Sequence, residues 1–250
     1  MRVQQADAAR CLGAKSLRDA EDQLRAYMPL QLLLLSLIFV TGTLDAVTYL
    51  DFGHVFAANM TGNFILLGLG VLGADDLSST TSLVAIAGFL IGVAAGGRVA
   101  RWLQPQGQRW VVISASTALG VSLLALLATA YRPVFGDYPA LVLLASGMGV
   151  INATASRIGI PGLTTTLVIT STLTGLVAGS QVPGGDARER VRQGFAVAAI
   201  VIGAIVGGTL FLHFGALIAL GTAFAVFLVG MAAYIVTLPG KPGHPNTRAA

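Results

Sequence analysis

"FAANMTGNFILLGLG", residues 56–70, sets Asn59, Thr61 and Asn63 directly ahead of an apolar run that continues to Gly73. The run 64–73 is ten residues long. At about 1.5 Å per residue it covers roughly 15 Å, half of a bilayer core of about 30 Å. It is too short to cross a membrane and too apolar for a surface loop. We read it as a half-helix that dips into the bilayer and returns. Asn59-Met60-Thr61 and Asn152-Ala153-Thr154 both fit the glycosylation sequon. Both lie inside or at the edge of apolar segments, so neither is taken as an acceptor.

Composition supports membrane insertion. Of 250 residues, 55% are hydrophobic and 10% charged, and the mean hydropathy is +0.79. Soluble domains carry roughly 25% charged residues, so the chain is read as an all-α integral membrane protein. Its net charge of +4 comes from basic residues scattered between apolar segments, which is a topology signal and not a nucleic-acid patch. The one cysteine, Cys11, allows no intramolecular disulfide and no thiol metal site. The first apolar run begins near Met28 after a polar tail, without a small-x-small cleavage site, and is expected to stay as a span. Within the tail, Ser16 and Asp19 have capping-box spacing and Leu17, Ala20 and Leu24 share a face, so residues 16–27 predict a short amphipathic helix.

Apolar segments fall at 28–50, 54–73, 80–100, 109–131, 138–158, 161–180, 193–213 and 216–238. Two are poor spans: 54–73, for the reason above, and 161–180, which holds seven hydroxyl residues between 164 and 174. If all eight cross and the Arg-rich tail is cytoplasmic, Lys and Arg divide 11 inside to 4 outside. If 54–73 and 161–180 re-enter instead, the division is 14 to 1, with Arg132 alone outside. The positive-inside rule favours the second arrangement: six transmembrane helices plus two re-entrant or broken segments, with both termini cytoplasmic.

An internal repeat agrees with this count. "IGVAAGG" at 91–97 recurs as "IGAIVGG" at 202–208, "MTG" at 60–62 as "LTG" at 173–175, and "LDA" at 44–46 as "INA" at 151–153. The offsets are 111, 113 and 107. The chain divides into a tail (1–27), a first membrane repeat (28–131), a second (138–238) and a C-terminal tail (239–250). Three crossings per unit make the repeat inverted, as in many transporters; eight spans would make it parallel. The glycines at 92, 96 and 97 and at 203, 207 and 208 suit close helix packing.

Irregular backbone at membrane depth is tolerated only beside protein or a water-filled cavity. A half-helix starting near Asn59, Thr61 and Asn63 would aim its positive end at the middle of the protein, with Thr170, Thr172 and Thr174 opposite. That chemistry suits a small polar or anionic solute. Helix capping and inter-helix bonding are the plainer use of the same side chains. Asp45, in "GTLDAVTYL", is the sharper residue. An Asp in mid-helix costs about 2.5–3.5 kcal/mol on insertion scales, so it is read as a proton- or cation-coupling carboxylate bonded near Thr48 or Tyr49, with the neutral Asn152 as its repeat mate. Arg157, His54 and His213 stand at segment ends and are read as boundary residues. No H-E-x-x-H, G-x-S-x-G or P-loop occurs, and the three histidines share no ligand spacing. No enzyme, metal or cofactor is expected.

"GTLDAVTYLDFGHVFAANMTGNFILLGLG", residues 42–70, resembles the signature of the YoaK-like bacterial membrane proteins, a domain-of-unknown-function family in which an Asp-Ala pair is followed by A-N-M-T-G-N. The matching positions are Asp45, Ala46, Tyr49, Gly53, Ala58, Asn59, Met60, Thr61, Gly62 and Asn63. The resemblance covers about 28–238. It implies a multi-pass protein of the bacterial inner membrane with about six spans, and no biochemical activity. The residues themselves lead us to expect a secondary transporter or permease, with a non-transporting scaffold or a passive channel as the alternative. Expected partners are the lipid bilayer and a small-molecule or ion substrate, a homo-oligomer being admissible and nucleic acid excluded.

Overall fold

The computed structural model describes residues 28–74, 76–103, 109–158 and 187–237. All secondary structure among them is helical. Six helices are long and apolar enough to cross a membrane: α1 (Met28–Asp51), α3 (Ser79–Leu103), α4 (Arg109–Ala130), α6 (Tyr138–Ile158), α7 (Ala187–Phe214) and α8 (Ala216–Thr237). Between them lie the 12-residue α2 (Met60–Val71) and the single turn α5 (Arg132–Phe135). The expected spans match these helices to within a few residues, except that α7 starts earlier. The segment 54–73 yields only α2, about 18 Å long and too short to cross. The expected tail helix, the segment 161–180 and both tails lie outside the described residues.

The ends of the elements follow from local chemistry. Asn59 caps α2, its side-chain oxygen accepting from the Gly62 N–H at 3.2 Å. Pro29, Pro133 and Pro139 fall in first turns, where a missing N–H costs nothing. Gly215 alone separates α7 from α8; its φ of +85° sends the chain back on itself, and its N–H donates to the Phe211 carbonyl at 2.8 Å.

Two helix crossings organise the bundle, and both rest on glycine. Where α3 meets α6, a Cβ added at Gly92 would strike the Ser146 backbone and one at Gly96 the Val150 backbone, while Gly149 lies against Phe89 and Val93. Where α1 meets α7, Gly203 lies against Phe39 and Gly207 against Thr43, with Gly42 against Ile200 and Ala204. Shifting α1 by 107 residues and α3 by 111 converts one set of pairs into the other. Those are the offsets of the LDA/INA and IGVAAGG/IGAIVGG matches. With so little hydrophobic drive between helices in lipid, backbone approach of this kind provides the attraction. Each crossing adds one inter-helix hydrogen bond: Ser146 Oγ to the Gly88 carbonyl at 2.9 Å, and Thr43 Oγ1 to the Gly203 carbonyl at 2.9 Å.

The contacts also set direction. Pairs rise together along α3 and α6, and along α1 and α7, so each couple runs parallel. Along α1, Leu33 and Leu37 share a small internal gap with Thr154 and Ile158, and Val40 and Leu44 share another with Met148 and Leu144. α1 and α6 therefore run opposite ways. α6 is the most buried of the spans and α7 the least.

At one face of the bundle, Arg132 joins the end of α1 to the start of α6. Its guanidinium pairs with Asp51, donates to the Asp51 carbonyl at 3.1 Å and to Asp137 at 2.7 Å, and lies 4.2 Å from the centre of the Phe52 ring. Burial disfavours the guanidinium's charge, but hydrogen bonds and attraction from Asp137 and Asp51 outweigh it, raising the pKa above the ordinary arginine value.

Candidate functional site

After Asp51 the chain turns back along α1. Gly53 (φ +82°) and His54 (φ +60°) make the reversal, His54 in a region that non-glycine residues seldom occupy. Residues 55–58 then descend beside the helix they have just left. Such backbone has no helical partners, and at membrane depth its polar groups need replacements. The sequence supplies them from side chains. Thr48 Oγ1 accepts from the Ala57 N–H at 3.2 Å while donating to the Leu44 carbonyl at 2.9 Å. Asp45 Oδ1 accepts from the Ala58 N–H at 2.7 Å. Asn63, fully buried, holds Phe56 from both sides: Oδ1 accepts from its N–H at 2.8 Å and Nδ2 donates to its carbonyl at 2.7 Å. Ala58 thus sits level with Asp45, and α2 runs back from there to end with Gly70 against Ser79, at the start of α3.

Between α1, this loop and α7 lies an open groove of about 440 Å³. Asp45 and Tyr49 line it from α1, Phe56 from the loop, and Ile200, Ala204 and Gly208 from α7. The Tyr49 and Phe56 rings stack with centres 5.2 Å apart, and His54 packs edge-on to Tyr49 at 5.0 Å. Asp51, six residues further along α1, belongs to the Arg132 cluster, so Asp45 lies roughly 9 Å below that face. A lone carboxylate at that depth can hold a proton or a cation.

The structure distributes the expected site residues unevenly. Asp45 and Tyr49 meet in the groove. Asn59 and Asn63 spend their side chains on the chain's own backbone, and Thr61 is exposed on the first turn of α2. None of those three lines the groove. Thr170, Thr172 and Thr174 lie outside the described residues. Asn152 is half-buried on α6 and accepts from Ser156 Oγ at 3.3 Å. The Asp45 carboxylate takes the Ala58 N–H that the descending loop brings beside it, while the Thr48 hydroxyl donates to the Asp45 backbone carbonyl at 3.4 Å and not to the carboxylate. Phe56 and the α7 wall went unread, since nothing local marks residues about 150 positions away as neighbours of Asp45. The glycine at 208 was the available signal.

A model of the family described as "Protein of unknown function (DUF1275)" matches residues 33–233. The chain is also similar to the UPF0700 transmembrane protein YoaK of Bacillus subtilis (strain 168), at 34% identity over 151 residues. That alignment covers 58% of this chain and 64% of the relative. No solved structure matches the chain. A match running from the first span into the last, over the two crossings and the loop that pairs with Asp45, establishes that the chain belongs to the DUF1275 family of multi-pass membrane proteins.

Proposed function

We propose that this protein is a secondary transporter or permease, built as two inverted three-span repeats in the bacterial inner membrane with both termini cytoplasmic, and that Asp45 couples an ion to solute passage. It acts as a carrier and not as an enzyme, and its partners are the lipid bilayer and a small-molecule or ion substrate. The carrying observation is the groove: a carboxylate inside a span, on the wall of an open cavity between the two helices of one crossing. Support for inversion comes from the two crossings, whose residue pairs interchange under the repeat offsets while α1 and α6 run opposite ways. A non-transporting scaffold is the second reading, favoured by the use of Asp45, Asn59 and Asn63 in backbone pairing.

The test is uptake of labelled solute into proteoliposomes under an imposed pH gradient, across a panel of sugars, amino acids, phosphate, organic anions and organic cations, for wild type and Asp45→Asn. We expect at least one solute to be taken up in a way that Asp45→Asn abolishes while its folded yield is unchanged. Asn keeps a side-chain oxygen for the Ala58 N–H. Uptake untouched by the substitution would remove Asp45 from the coupling role, and silence across the panel with folding lost in the variant would favour the scaffold.

A further inference from the structure

The groove's chemistry restricts its solute further. Among the described residues that line it, all but Asp45 and the Tyr49 hydroxyl are apolar or lack a side chain: Phe56 from the loop, Ile200, Ala204 and Gly208 from α7, and aliphatic neighbours on α1. Among the described residues no basic side chain lines it. An anion would meet a carboxylate and no cationic partner, so the preference expected from the α2 dipole does not suit this cavity; the first turn of α2 is already capped by Asn59. A sugar would leave most of its hydroxyls unpaired there. A solute with one positive charge and an apolar body fits each wall: its charge beside Asp45, its body against Ile200 and Ala204, and the Tyr49–Phe56 ring pair adding cation–π attraction.

We propose that the groove binds monovalent organic cations with an apolar body, such as lipophilic amines and quaternary ammonium or phosphonium ions, with Asp45 as their counter-charge. This rests on the transporter reading and names its solute class. One carboxylate can hold a proton or the cation but not both, so arrival of the cation releases the proton and departure restores it. Among the described residues the groups around Asp45 are few. Tyr49 shares its helix, His54 reaches Tyr49 from the loop, and neither α2 nor the α7 wall contributes a titratable side chain. The exchange therefore rests on Asp45.

The experiment measures equilibrium binding of tritiated tetraphenylphosphonium to the purified full chain in detergent, with tetraphenylborate, of the same shape and opposite charge, measured separately. Tetraphenylphosphonium should bind saturably and more weakly as the pH falls. Asp45→Asn should weaken it by about tenfold or more, and Tyr49→Leu by about threefold to tenfold. Gly208→Leu guards against misfolding of the first variant. A Cβ there has room, its nearest atom being Leu50 Cδ1 at 3.9 Å, and the side chain would occupy the groove; it should abolish binding at unchanged thermal stability. Absence of saturable binding to folded wild type, tighter binding of tetraphenylborate, or binding unchanged in folded Asp45→Asn and Gly208→Leu would overturn the proposal. Proteoliposomes with an imposed pH gradient separate the two readings. Binding without Asp45-dependent uptake would retire the transporter and leave the cation site. Asp45-dependent uptake of phosphate or sulfate without tetraphenylphosphonium binding would retire the cation class and leave the transporter.

Discussion

At the α3–α6 crossing Gly92 and Gly96 lie on Ser146 and Val150; at the α1–α7 crossing Gly203 and Gly207 lie on Phe39 and Thr43. Two residues beyond Val150, α6 carries Asn152, whose side chain meets Ser156; two beyond Thr43, α1 carries Asp45, which meets the Ala58 N–H. The glycine contacts recur at both crossings and the charge does not. An asparagine oxygen could accept the Ala58 N–H as well as a carboxylate does. Backbone pairing alone therefore does not call for an acid whose insertion costs about 2.5–3.5 kcal/mol. That surplus makes Asp45 the chemically distinct position beside two otherwise matching crossings.

The strongest way to break the likeness of the crossings is to crowd them. Gly92→Leu and Gly203→Leu each drive a side chain into a neighbouring backbone, and each should cost about 3 kcal/mol or more. Both variants should lose the monodisperse peak on size-exclusion chromatography. Gly97→Leu, with nothing within 4 Å of its Cβ, should behave as wild type. Unequal damage from the two crowding variants would show that the crossings are not equivalent.

Next comes the loop, described for the first repeat. Asn63→Leu removes both partners of the Phe56 backbone and should destabilise by about 2–4 kcal/mol, read as thermal unfolding in detergent. The Arg132 cluster lies at the partly exposed face, so Arg132→Ala should cost about 1–2 kcal/mol, with Arg132→Lys recovering only part because the forked geometry is lost. Smallest of all, Asn152→Ala removes only a long, exposed bond and should change stability by at most about 0.5 kcal/mol. A large loss there would mean that Asn152 holds a partner as Asp45 does.

Much of this architecture was legible in the sequence. Ten apolar residues after Asn63 cannot span, and the Lys and Arg distribution points to the same six helices. The repeat offsets of 107 and 111 reappear as contacts because glycine is the residue that permits backbone approach. Other features needed coordinates. Nothing local distinguishes Asn59, which caps a helix, from Asn63, which clamps a strand-like loop seven residues away. Arg132 and Asp51 are 81 residues apart, and their pairing follows from α1 and α6 running opposite ways. Asp45 could be singled out by its cost of insertion, but the apolar wall it faces comes from α7.

The most direct measurement is the side of the membrane on which the α2–α3 turn and the end of α3 lie. With Cys11→Ser as background, single cysteines would be placed as Asp76→Cys and Trp102→Cys, and intact cells labelled with a membrane-impermeant maleimide. Two inverted three-span repeats require labelling at position 76 from outside, and at 102 only after lysis. The reverse pattern would mean that α2 crosses the membrane, that the repeats are parallel, and that the inverted frame around Asp45 does not exist.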